Sequence, residues 1–143
     1  MIAFAIAAGL QACGVAPPVK SPAPAPPPSQ EAPREAPPSA SPVVALIDKA
    51  QTAQRAGHLE DAAASLERAV RIDPYDPVAW QMLAQVRLAQ GDGSQAEAMA
   101  AKSNSLAYGD DALQRENWRI IAQARRMRGD VQGAREAEQR AGD

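Results

Sequence analysis

Three glycines set the period of this chain. Gly57 and Gly91 lie 34 residues apart, Gly91 and Gly129 lie 38 apart, and around each the same order of small and large residues returns. Counted from Val43, the first unit has Leu46 fourth, Ala50 eighth, Ala62 twentieth, Leu66 twenty-fourth and Ala69 twenty-seventh. Counted from Pro77, the second has Trp80, Ala84, Ala96, Ala100 and Ser103 at those places, and the third, from Arg115, has Trp118, Ala122, Ala134, Glu138 and Ala141. A unit of this length cannot bury its apolar side alone, so copies must stack and share one continuous core. Small residues at the eighth, twentieth and twenty-seventh places let paired helices approach closely, the large fourth residue fills the gap between helices, and glycine lets the chain leave the first helix with positive φ.

The spacing predicts an all-α chain of six helices near residues 43–56, 59–72, 77–90, 94–106, 111–128 and 131–141, grouped as hairpins 43–76, 77–114 and 115–143. Asp76-Pro77 and Ser41-Pro42 read as helix starts, each a capping side chain followed by proline at the first helical position. The four additional residues within 107–114 admit two placements. One lengthens the fifth helix by a turn at its start, which keeps its buried face because four residues advance about 400°; the other lengthens the surface loop. Trp80 and Trp118, at the fourth place, are expected in the core. His58 follows the turn glycine and reads as solvated or capping.

These positions resemble the tetratricopeptide repeat over residues 43–143, about 70% of the chain. The resemblance implies a short solenoid of about three helix-turn-helix repeats that binds protein on the face lined by the second, fifth, ninth, twelfth and thirteenth residues of each first helix. Here that face holds Val44, Ile47 and Gln51, then Gln81, Gln85 and Leu88, then Arg119, Gln123 and Arg126. Glutamines at such places can pair with an extended backbone, which makes a peptide or loop the expected ligand. Chaperone-adapter members of the family hold a terminal carboxylate with basic and amide residues where this chain has Ile47, Gln51, Met82, Glu116 and Ile120. That clamp is missing, so chaperone tails are not the expected partner.

The cluster Arg119, Arg125, Arg126 and Arg128 has two readings. Arginines near a helix end complement the C-terminal dipole while staying solvated, or they meet an acidic partner surface. The wider composition excludes several functions. Fifteen Lys+Arg against 17 Asp+Glu, and five aromatics, do not make the dense basic, stacking surface that nucleic acid requires. One His and one Cys exclude an intramolecular disulfide, a CxxC pair and a Cys-rich zinc site, and no Ser/His/Asp or HExxH pattern is present. No catalytic residue, metal, cofactor or small-molecule substrate is expected, and the chain is not read as an enzyme.

Ahead of the repeats stand two segments of different character. Residues 1–12 open an apolar stretch, shorter than the roughly 20 residues of a spanning helix, that ends in Leu10-Gln11-Ala12-Cys13-Gly14. This resembles the signal peptide and lipobox of bacterial lipoproteins, which implies acylation at Cys13. A short membrane anchor or a buried helix with an incidental thiol are the alternatives. Residues 13–42 then form a Pro/Ala-rich tether, with 11 of the chain's 13 prolines between 17 and 42. Such a composition favours an extended, disordered spacer. From Gly14 to Pro42 it could reach about 90 Å at about 3.1 Å per residue. Gly14 after the cysteine implies the outer membrane, lipid-anchored and facing the periplasm. The whole order of parts resembles the lipoprotein activators of class A penicillin-binding proteins, which implies a peptidoglycan synthase as partner. A scaffold for another envelope machine, in pilus, secretion or outer-membrane assembly, is the alternative.

Overall fold

The computed structural model describes residues 41–142; the expected signal peptide, Cys13 and most of the tether lie outside them. Six α-helices follow one another: α1 (Pro42–Arg55), α2 (Leu59–Ile72), α3 (Pro77–Ala89), α4 (Gly93–Leu106), α5 (Asp111–Met127) and α6 (Val131–Gly142). Every helix lies within two residues of its expected span. They pair as antiparallel hairpins α1–α2, α3–α4 and α5–α6, with α2 packed on α3 and α4 on α5. This is an all-α, three-repeat solenoid.

The small residues sit where the period requires them. Ala50, Ala84 and Ala122 at the eighth place are 0–2% exposed, and Ala62, Ala96 and Ala134 at the twentieth are 0–1% exposed. A methyl group at a helix crossing adds little apolar area, but it lets two backbones approach until dispersion acts along the whole line of contact. Leu66, Leu83, Val86 and Ile121 are the largest apolar side chains fully enclosed. One core cluster joins α1, α2 and α3 and a second joins α3, α4, α5 and α6, with Met99 packed against both.

Turn and cap chemistry delimits the helices. Gly57, Gly91 and Gly129 have φ of 78°, 84° and 79°, the left-handed conformation expected of them at the hairpin turns. The Asp76 carboxylate accepts from the Val78 and Ala79 amides at 2.8 and 3.1 Å. Asp92, Asp110 and Asp130 cap the next three helices through Gln95, Leu113 and Gly133 amides. Ser41 departs from expectation: it makes no side-chain cap bond, and α1 begins on Pro42 alone. His58 is exposed at the start of α2, also without a side-chain cap bond.

The four additional residues are helical. α5 has 17 residues against 13 in α3, and it begins at Asp111, one turn ahead of the Arg115 register position. The turn before it closes when Gln114 Nε2 donates to the Ala107 carbonyl at 2.8 Å. Trp80 and Trp118 are half-buried, packed on the edges of the two clusters, instead of enclosed. Besides the eighth place, the third, sixth, seventh and tenth places of the later first helices are enclosed against the preceding repeat: Ala79, Met82, Leu83 and Val86 in α3, and Asn117, Ile120, Ile121 and Ala124 in α5.

At Gly93 the packing against a neighbouring helix backbone leaves no room for a methyl group. A Cβ on Gly93, in the first turn of α4, would stand 2.8 Å from the Ala124 carbonyl oxygen of α5. Alanine improves helix propensity by about 1 kcal/mol, but overpacking against backbone costs about 1–3 kcal/mol. Gly93→Ala is therefore expected to lower the thermal midpoint, whereas Ser94→Ala, at the exposed next position, should leave it nearly unchanged; calorimetry of both variants checks this.

Candidate functional site

The face expected to bind protein is carried by the first helices of the three hairpins, α1, α3 and α5. Its apolar part is exposed: Val44 is 47%, Val78 43% and Met127 50% accessible. Ile47, Gln85 and Leu88 are half-buried along it, and Gln51 and Gln123 are exposed. Gln51 Nε2 approaches Met82 Sδ at 4.0 Å, linking α1 to α3 across the face. Amide groups beside apolar methyls make a surface suited to an extended chain, whose backbone needs donors and acceptors and whose side chains need apolar contact.

Gln81, expected on this face, is enclosed at 9% exposure. It belongs to α3, which packs against α2, α4 and α5, whereas Arg119, at the same place in α5, is exposed. Gln81 is thus less available to a ligand than Gln51, Gln85 or Gln123.

The arginine cluster is distributed among carboxylates of the chain itself. Arg119 pairs with Glu116 at 2.8 Å. Arg125 and Arg128 both hold Glu97 of α4, at 2.7 and 2.6 Å, and Arg125 also donates to the Gly133 carbonyl of α6 at 3.0 Å. Arg126 pairs with Glu138 of α6 at the open end of the array. Glu97 is therefore a shared anchor that ties the second hairpin to the end of α5, from which Arg125 reaches on to α6. Sequence spacing could not show this, because residues 97, 125 and 128 meet only after the hairpins stack.

A buried polar chain crosses the same junction. Asn117 Nδ2 donates to Ser103 Oγ at 2.8 Å, and Ser103 Oγ donates to the Pro77 carbonyl at 2.7 Å, so α5, α4 and α3 are joined in sequence. Both side chains are fully enclosed. Asn117 carries no signal in the repeat pattern beyond its place beside Trp118.

At the opposite end of the array, a concavity of about 620 Å³ lies between α1 and α2, bordered by Lys49, Thr52, His58, Asp61 and Arg68. Its hydroxyls are committed to their own helices: Thr52 Oγ1 donates to the Asp48 carbonyl and Ser65 Oγ to the Asp61 carbonyl, both at 2.9 Å. The register explains it. Ala45, Asp48, Lys49 and Thr52 occupy the third, sixth, seventh and tenth places, the same places that α3 and α5 bury against a preceding hairpin, and here all four are exposed.

Repeated helical hairpins joined by turn glycines, with small residues at each crossing, define a tetratricopeptide-repeat protein. Residues 53–115 match the tetratricopeptide repeat family. Among solved structures, the globular C-terminal domain of P. aeruginosa LpoP is 51% identical, with a TM-score of 0.70 over 72% of this chain and 97% of that one. The N-terminal domain of stress-induced protein-1 (STI-1) from C. elegans is 17% identical, with a TM-score of 0.65 over 69% of this chain and 80% of that one, a likeness of fold alone. No curated protein matches the chain. The chain belongs to the LpoP-like family of tetratricopeptide-repeat proteins, and its repeat domain is a protein-interaction module.

Neutralising Glu97 tests the junction. Glu97→Gln leaves two partly exposed guanidiniums without their shared carboxylate, and the expected loss is about 1–2 kcal/mol of stability, read by denaturant unfolding. Glu136→Gln, on the exposed side of α6, should cost less than about 0.5 kcal/mol.

Proposed function

We propose that this chain is an outer-membrane-anchored periplasmic lipoprotein that activates a class A penicillin-binding protein, and that it does so by binding, without chemistry of its own. The observation that carries the reading is the 51% identity to the LpoP C-terminal domain across nearly all of that domain. In this reading Cys13 carries the lipid and residues 14–42 span part of the distance to the partner. The α1/α3/α5 face receives a loop or extended segment of the synthase. Val44, Ile47, Gln51, Gln85, Leu88 and Gln123 form its contact surface. Arg119 and Arg126 would take part only by exchanging Glu116 and Glu138 for partner carboxylates.

No helix among the described residues is long and apolar enough to cross a membrane, so in this reading attachment rests on the acylated cysteine. In lipoproteins of this kind the thiol takes a diacylglyceryl group and the amine a further acyl chain, and each buried CH₂ contributes about 0.8 kcal/mol. Cys13→Ser is expected to abolish incorporation of a palmitate analogue and to release the protein from the membrane fraction, with the helical circular dichroism unchanged. Persistent labelling of the variant would overturn the lipid site.

The face is tested with Val44→Asp and Gln51→Arg, both exposed positions at which folding should lose about 0.5 kcal/mol or less. Together they should weaken association with the purified synthase by about tenfold or more and remove its stimulation of glycan polymerisation. Wild-type protein that neither binds nor stimulates the synthase, but crosslinks in envelopes to a pilus or secretion component, would replace the synthase with that machine. Unaltered binding by the double variant would move the site off this face.

A further inference from the structure

Where the start of α5 meets the end of α6, a cavity of about 310 Å³ is lined by Asp111, Gln114, Arg115, Trp118 and Arg140. The Arg140 guanidinium lies over the Trp118 ring, 4.6 Å from its centroid. Stacking occupies the flat face of a guanidinium and leaves the N–H groups in its plane free to donate. The Gln114 side chain is fixed at the cavity wall by its bond to the Ala107 carbonyl.

The charge here is arranged differently from the rest of α5. Arg119, Arg125, Arg126 and Arg128 each hold a carboxylate of the chain. Among the described residues neither Arg115 nor Arg140 forms an ion pair, although Asp111 lines the same cavity. Two guanidiniums facing one half-enclosed space repel each other, and a carboxylate between them removes that repulsion while accepting charge-assisted hydrogen bonds from both. The volume stands at the lower limit of small-molecule sites, so it fits a single side chain better than a cofactor. The indole supplies an apolar wall for the methylene stem that a glutamate places behind its carboxylate.

We propose that this cavity is a socket for a glutamate side chain on a partner protein, with Arg115 and Arg140 gripping the carboxylate and Trp118 backing its methylenes. It rests on the preceding reading only in taking the partner to be a protein, and it lies on the α5–α6 seam instead of the amide-rich face.

The test is an NMR titration of the isotopically labelled full chain, following the Trp118 indole N–H. The probe is acetyl-Gly-Glu-Gly-amide, which has one side-chain carboxylate and no free terminus. The expected result is a saturable shift at millimolar peptide that shrinks with added salt, is absent with acetyl-Gly-Gln-Gly-amide, and weakens about fivefold or more in Arg115→Gln. Arg140→Gln should do the same. If that variant disturbs the packing of α6, Arg115→Gln decides alone, since Arg115 holds no other side chain of the fold in an ion pair.

Absence of a saturable shift overturns the socket, as does an equal response to the glutamine peptide or an undiminished response in Arg115→Gln. A shift produced only by acetyl-Gly-Gly-Gly with its free carboxylate would replace the glutamate with a chain terminus and overturn the proposal as stated. The titration contains no synthase, so a failure to bind the synthase and a failure of the socket are read separately.

Discussion

Close approach of helix backbones over alanine is the contact on which the other features rest. Wherever α1 crosses α2, α3 crosses α4 or α5 crosses α6, a methyl group separates the two, at Ala50 and Ala62, Ala84 and Ala96, and Ala122 and Ala134. Larger residues there would spread each hairpin and displace the groove into which the next helix packs. Because a short alanine contributes little area, the array has few large apolar side chains to spare, and its junctions use polar contacts as well. The Asn117–Ser103–Pro77 chain and the shared carboxylate of Glu97 both lie between the second and third hairpins, where Ala100 and Ala124 stand at places that hold Leu66 and Val86 between the first and second.

The same register places polar residues on the outer sides of the first and last described helices. On the first helix, Asp48, Lys49 and Thr52 replace the Met, Leu and Val that α3 presents inward. On the last, Arg135 and Glu138 occupy the places at which α2 buries Ala63 and Leu66. Polar residues at these positions stay hydrated, so neither end offers an apolar surface to another hairpin. Glu138 in turn neutralises Arg126, which turns one of the expected ligand-binding arginines into part of the terminal cap.

Helix spans, turn glycines and the Asp76 cap were legible because each is a local rule acting within one hairpin. The choice between a longer fifth helix and a longer loop was not, since four residues preserve the buried face in either case; the structure resolves it as helix, beginning on the Asp110 cap. The burial of Gln81 and the half-burial of the two tryptophans depend on how far each hairpin overlaps the next, which position within one repeat does not specify. Ser41 lost its expected cap bond although its sequence context matches that of Asp76. The proline is common to both starts, so the difference lies in the capping side chain: the Asp76 carboxylate engages the Val78 and Ala79 amides, and the shorter Ser41 hydroxyl engages none.

The charges of the third hairpin show why a cluster in sequence is a poor guide to a binding surface. Arg125, Arg126 and Arg128 are close along the chain, but helical geometry directs them toward different neighbours, and Glu97 and Glu138 meet them from two other helices. A partner must displace those carboxylates to use these arginines, so the Coulomb gain is offset by the ion pairs that are broken. Arg115 and Arg140 are far apart in sequence and converge on one cavity, and among the described residues neither is held in an ion pair, although Asp111 stands at the same wall. An unmatched pair of charges is the better candidate for recognition, because binding there adds an interaction without first removing one.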